Sequence, residues 1–229
     1  MAEWVANFSD LFYKCFIREE RYKLLLSGIG VTVKVSLLAI VIGILIGMVI
    51  AMCNLSKNKP LRFIGGVYTD VIRGTPSVTQ LMIIYFVIFA TVPLDKWIIA
   101  AIAFGVNSGA YVSEIVRAGI LSIDKGQTEA GRSLGLSAFQ TMSRIVVPQA
   151  VKNIFPALCN EFIVLIKETA IVGYVGLMDI QKAGDFIKSA TFIAFMPLIG
   201  TAVIYYVLIK ILTLALRRVE MRLRRADAR

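Results

Sequence analysis

Arg73, Asn107 and Glu161 each stand inside a long apolar run, a cation, an amide and an anion where hydrocarbon is the expected company. An ionised side chain at the middle of a bilayer costs roughly 2.5–3.5 kcal/mol or more, so it points to a solute path unless another helix pairs it. Together the three suit a small zwitterionic solute. The carboxylate meets its ammonium, the guanidinium meets its carboxylate, and the amide completes the hydrogen bonds. Residue counting puts them near one depth. Arg73 follows Arg62 by eleven residues and Glu161 follows Ala150 by eleven, roughly 16 Å in from one side at the helical rise. Asn107 follows Trp97 by ten and arrives from the opposite side.

Each residue has a plainer alternative. Arg73 can pair with Asp70 on its own helix, and Asn107, Ser108 and Gly109 can serve helix packing. Glu161 has no base three or four residues away, so its alternative is a pair with another helix. Asn160 beside it can orient a ligand amine. Gly74 and Pro76 interrupt the chain next to Arg73, and transporter sites are often built where a broken helix frees backbone groups. Ser108 beside Asn107, with Thr75 and Gln80 on that broken helix, completes the candidate substrate-binding set. Lys167 and Glu168 read as a gating or structural pair, with Pro76 in the same class. Glu114 and Arg117 read as a structural i,i+3 pair.

Other chemistries find no residues to carry them. The chain has no histidine, no Ser/His or HExxH arrangement, and no catalytic or metal-ligating constellation. Cys15, Cys53 and Cys159 form no CxxC pattern. A net charge of +10 can signal nucleic acid, but here the basic residues lie between apolar segments and at the C-terminus. No GxxxxGK[ST] loop is present, so any ATP must be held elsewhere.

The elements that position these residues are membrane spans. The chain is 58% hydrophobic and 17% charged, against roughly 25% charged for a soluble domain. Five stretches have the length of about 20 apolar residues that a spanning helix needs: 28–54, 64–91, 97–119, 150–176 and 191–216. The expectation is an all-α integral membrane fold with five transmembrane helices, its transmembrane domain covering 28–216. Gly43 and Gly47 in the first span allow a second helix to approach closely, and Lys34 can snorkel to the interface. Residues 1–27 form an outer-surface segment in which WVANFSDLFYKCF reads as an amphipathic interfacial helix on membrane lipid. These first residues mix acids and bases and lack the apolar core of a signal peptide. Residues 217–229 form a basic tail. Lys and Arg of the first loop, the third loop and the tail fall on one side, which sets the C-terminus in the cytoplasm and the N-terminus outside.

The third loop, about 121–149, is the long one. It holds EAGRSLGLSAFQTMSRIVVP at 129–148, amphipathic and broken by glycines. Leu134, Leu136, Phe139 and Met142 lie among polar neighbours, and Gly135 offers a swivel between two short helices. Such a passage is a docking element or an interfacial connector.

This passage resembles the EAA loop of bacterial ABC import permeases: E-A-A, three residues, G, nine residues, I, one residue, L-P. Glu129, Ala130, Gly131, Gly135, Ile145, Val147 and Pro148 fall in that register, with Gly for the third position and Val for Leu. Gly131 is expected to loosen the helix start. RGTPSVTQL at 73–81, AYVSEIVRAGI at 110–120, GQTEAGRSLGL at 126–136 and NEFIVLIKETA at 160–170 are similar to the polar amino-acid uptake subfamily. The resemblance implies a coupling helix, centred on Glu129, Ala130, Gly131, Leu134, Gly135, Leu136 and Phe139, that docks on an ABC ATPase subunit. It implies a bacterial cytoplasmic membrane, a second permease copy or homologous permease, and an extracytoplasmic amino-acid-binding protein. ATP and Mg would belong to the ATPase, and this chain would be no enzyme. The lone carboxylate of Glu161 suits a basic amino-acid substrate. A channel or secondary transporter is the alternative, though no internal inverted repeat is seen and an ATPase-docking loop would then be idle.

Overall fold

A computed structural model describes residues 8–225, and every regular element among them is helical. A short α1 (residues 8–12) passes into a π turn at Tyr13–Ile17 and a 3-10 turn at Arg18–Glu20. The long helices follow: α2 (Tyr22–Leu55), α3 (Lys59–Arg73), α4 (Ser77–Ile83, continued by a π turn to Ile88) and α5 (Lys96–Leu121). Two short helices, α6 (Lys125–Ser133) and α7 (Ala138–Thr141), lead by a π turn into α8 (Val147–Glu168). A 3-10 segment, Thr169–Val175, precedes α9 (Ile180–Thr191) and α10 (Phe195–Arg225).

The centre of the bundle is the seam between α2 and α5. A Cβ on Gly43 would stand 2.9 Å from Ser108, one on Gly105 2.6 Å from Ile42, and one on Gly109 2.8 Å from Ile46. The GxxxG of α2 therefore meets a second GxxxG on α5, and the two backbones close as such pairs do in lipid. Both sets of numbers rise together, so α2 and α5 run parallel. α8 returns beside α5, its Ile154 filling the space at Gly119 and its Leu165 joining Val35, Ala39, Leu81 and Phe104 in the core.

Among the described residues three helices, α2, α5 and α10, are long and apolar enough to cross a membrane, and the α3–α4 pair adds a fourth if taken as one span bent by 105°. α8, expected as a fourth full span, carries Lys152, Glu161, Lys167 and Glu168 and does not qualify on composition. Its regular helix ends at Glu168 rather than near 176. α2 starts at Tyr22, six residues before the expected edge at 28. Lys34 thus lies twelve residues inside the helix, where its ammonium covers the Trp97 ring at 3.6 Å from the centroid. α9 was not foreseen, and α10 runs without a break into the expected basic tail. Of the expected interfacial helix, residues 4–7 lie outside the described residues, as do 226–229 of the tail. The rest of the N-terminal segment is not laid flat on lipid alone. Cys15 and Phe16 are buried against Leu25, Ala183, Ile187 and Met196.

Candidate functional site

The break in the second span comes from three consecutive residues. Gly74 closes α3 by donating to Asp70 O, Thr75 is held in a non-helical conformation before proline, and Pro76 begins the next helix in extended geometry. Pro76 has no N–H, so the Ile72 carbonyl loses its i+4 donor. Gln80 supplies it. Its Nε2 donates to Ile72 O at 2.7 Å, and to Thr75 Oγ1 at 2.6 Å and Thr75 O at 3.2 Å. The Oε1 of the same amide accepts from Asn107 Nδ2 at 2.9 Å. Gln80 repairs the break and fastens it to α5 in one step.

α5 is the hub. Asn107 faces α4, and one residue on, Ser108 faces α8, where its Oγ donates to Glu161 Oε1 at 2.8 Å. Gln80, Asn107, Ser108 and Glu161 are all buried, with Glu161 at 8% exposure. Glu161 Oε2 makes no hydrogen bond among the described residues. Of the two readings of Glu161, a pair with another helix is met only by a hydroxyl, which compensates a carboxylate weakly. Tyr68 adds a further tie, its Oη donating to Val106 O at 2.6 Å.

Arg73 is not at this level. It lies over the Tyr111 ring, 5.4 Å from its centroid, within cation–π range. Tyr111 is one turn beyond Asn107 on α5, so the guanidinium sits about 6 Å toward the α6 end of the bundle. Among the described residues Arg73 makes no ion pair with Asp70, and its side chain is exposed. Tyr111 was not picked out from the sequence, although its i+4 spacing from Asn107 was the signal. Asn160 also departs from expectation. It is exposed and lines a cleft with Pro156, Thr213 and Arg217, facing α10 rather than the hub. Successive helical residues point about 100° apart, so its neighbour Glu161 looks elsewhere. Thr75 is exposed, its hydroxyl spent on Val71 O. Lys167 and Glu168 form no ion pair among the described residues, with Lys167 exposed and Glu168 half-buried. Glu114 and Arg117 do pair, at 2.8 Å.

At the end of α5 the chain enters α6 and α7, and here local sequence sets nearly everything. Asp124 caps α6 by accepting from Gly126 N. The helix ends in a Schellman arrangement: Leu136 N donates to Gly131 O, Gly135 N donates to Arg132 O, and Gly135 takes φ +82°. Ser137 and Gln140 then form a reciprocal capping box that starts α7. Gly131 lies in the last turn of α6 rather than at a loosened helix start. It is buried, and a Cβ there would stand 2.8 Å from Thr141 and 2.9 Å from Ile145. The glycine is what lets α6 lie against the chain after α7. Glu129 and Ala130 are exposed and Leu136 is half-buried. Leu134 and Phe139 project outward, 81% and 80% exposed.

No group of three or more His, Cys, Asp or Glu among the described residues could hold a metal ion. Comparison with known proteins gives a consistent picture. Residues 43–225 match the family of binding-protein-dependent transport system inner membrane components. The arginine transport system permease protein ArtQ of Bacillus subtilis is 43% identical over 205 residues, 89% of this chain and 94% of that protein. The glutamine transport system permease protein GlnP of Escherichia coli is 34% identical over 204 residues, 88% of this chain and 93% of that protein. The crystal structure of an amino acid ABC transporter with histidines shares 41% identity and superposes with a TM-score of 0.82, covering 90% of this chain and 98% of the other.

Proposed function

Because this chain belongs to the family of binding-protein-dependent transport system inner membrane components, we propose a division of labour within it. The chain is the permease of an amino-acid ABC importer. The α5 hub receives the solute in passage, and the α6–α7 tip takes force from a separate ATPase subunit that holds ATP and Mg. An external binding protein hands the solute over at the α9 end. A second permease, identical or related, completes the path.

The observation that carries this is the pair Leu134 and Phe139, large apolar side chains left almost wholly exposed on a rigidly capped turn. A surface of that kind is built to be covered. At the hub, Glu161 Oε2 is the free acceptor for the solute's ammonium or for a cationic side chain, and Asn107 and Ser108 set its walls. Arg73, a turn closer to the α6 end, meets the solute after the hub or holds its carboxylate in a bound state that spans both levels. A basic amino acid fits the unneutralised carboxylate best, in line with the arginine permease among the relatives. The α6 end is cytoplasmic, since the Lys and Arg of the connections gather there.

The deciding experiment is uptake by proteoliposomes carrying the permease, its ATPase and its binding protein, screened across the amino acids. ATP-dependent accumulation of arginine, lysine or histidine is the expected result. Gradient-driven flux without the ATPase would support a channel or secondary transporter. Orientation is checked by single cysteines at the exposed positions Ser137 and Ser189, with Cys15, Cys53 and Cys159 replaced. An impermeant thiol reagent should label from outside only at Ser189.

A further inference from the structure

Asp179 lies outside both sites, at the bundle end opposite α6 and α7, and is fully buried. No cation pairs with it among the described residues. Three donors converge on it instead: Gln181 N at 3.1 Å, Lys182 N at 2.9 Å and Tyr205 Oη at 3.1 Å. The first two are the N-cap of α9. The third is not needed for a cap. It comes from α10, 26 residues along the chain. The hydroxyls of Thr32 on α2 and Thr169 at the end of α8 stand close to the same phenol, and Thr32 Oγ1 is buried without a hydrogen-bond partner among the described residues. The α2 backbone also touches this point, for a Cβ on Gly28 would stand 2.7 Å from the Asp179 carbonyl carbon and from Ile180 N.

Four elements therefore meet at one carboxylate and one phenol. Beside this junction Tyr174, Gln181, Lys182 and Asp185 line an open polar cleft of about 340 Å³ that carries both charge signs. On the other side α10 leaves as an unbroken helix of 31 residues that reaches the α6 end of the bundle. Between the junction and α8, Gly176 adopts φ +75°, a left-handed turn where the connection changes direction.

We propose that Asp179 and Tyr205 form a mechanical joint that carries the docking of the external binding protein from α9 into α10 and α2. This rests on the importer reading given above. Tyr205 is a positioning residue here. The groups around its hydroxyl, Asp179, Thr32 and Thr169, lie outside the solute hub, and its hydrogen bond to Asp179 links a surface helix to one that runs the length of the bundle. A displacement of α9 by a docked partner then moves α10 as a unit instead of merely fraying the connection.

The test uses the complete importer in proteoliposomes, measuring ATPase rate against binding-protein concentration, with melting temperature taken in the same preparation. Tyr205→Phe keeps the ring and the α9 cap but removes the tie. Basal rate, melting temperature and half-saturating binding-protein concentration should stay near wild type, while maximal stimulation falls by about fivefold or more, the lower range of allosteric couplings. Asp179→Asn retains a cap acceptor and an N–H toward Tyr205, so it should restore most of the stimulation lost in Asp179→Ala. Lys182→Glu in the cleft should do the reverse of Tyr205→Phe, raising half-saturation with the maximum unchanged. An unaltered maximum in Tyr205→Phe would overturn the joint, as would a loss matched by equal falls in basal rate and melting temperature. If Tyr205→Phe does not fold, the contrast between Asp179→Asn and Asp179→Ala decides, and equal stimulation in those two overturns the joint. A wild-type complex indifferent to binding protein would overturn the importer reading itself, and the joint with it.

Discussion

At the α5 hub, apolar surroundings leave polar groups to find partners, and Gln80, Asn107, Ser108 and Glu161 do so across three helices. At the α6–α7 tip the situation is inverted. The polar and backbone groups are satisfied by near neighbours, and it is the apolar side chains of Leu134 and Phe139 that stand uncovered. In lipid an unpaired polar group is the costly feature, whereas in water an uncovered apolar one is. Each region is thus marked by what it leaves unsatisfied among the described residues: Glu161 Oε2 at the hub, two large side chains at the tip. In the proposed reading a solute with charged ends answers the first, and a cleft of the ATPase answers the second.

Breaking the tip should give the largest effect. Phe139→Asp places a charge where burial against a partner is expected, and losses at such positions exceed about 2 kcal/mol, or roughly 30-fold in affinity. ATPase capture by the purified variant should fall by that factor while its melting temperature stays near wild type, because the ring touches little of its own chain. Retained capture would remove the tip from the docking surface.

Next comes the hub's free acceptor. Glu161→Gln keeps the shape and still accepts from Ser108, so stability should hold. A lost charge-assisted bond to the solute is worth about 1.5–3 kcal/mol, which is roughly ten- to a hundredfold in affinity. Half-saturation in solute-stimulated ATPase assays should rise by that amount. If it does not move, Arg73 above the Tyr111 ring remains as the charged candidate.

Gln80→Leu sharpens the contrast by attacking polar satisfaction itself. It strands the Ile72 carbonyl and the Asn107 amide together, at about 1–3 kcal/mol for each buried group left unmade. The expected outcome is a lowered melting temperature together with impaired transport. Stability equal to wild type would mean that water repairs the break.

The smallest effect belongs to the tip's local scaffold. Ser137→Ala removes one half of the capping box at a cost of about 1 kcal/mol. Because α7 is short and exposed, the loss should appear as a few-fold weakening of ATPase capture and leave global melting almost unchanged. A full loss of capture would mean that α7 forms only with its cap, so that docking depends on it more than its exposed ring does.

The tip was legible in the residues because its bonds span five positions or fewer. Gly135 and the Ser137–Gln140 pair can be placed from spacing alone. The Gly43–Gly47 spacing likewise announced a close helix partner, although not that the partner would be another glycine pair at Gly105 and Gly109. The hub was legible only as a set of types. Gln80 enters the candidate set only through its place on the broken helix, yet it is the residue that holds that helix to α5. Asn160 adjoins Glu161 in the chain but faces α10.

Local chemistry thus fixed the apolar runs, the break at Gly74–Pro76 and the capped turn after Gly131, since each depends on backbone sterics and hydrogen bonds between near neighbours. Tertiary structure alone decided which polar side chains meet. Asn107 and Gln80 are 27 residues apart, Ser108 and Glu161 are 53 apart, and Asp179 and Tyr205 are 26 apart. Whether such groups face one another depends on the rotation and tilt of whole helices. Those are set by how closely Gly43, Gly47, Gly105 and Gly109 let α2 and α5 approach, and no residue spacing within a single helix specifies them.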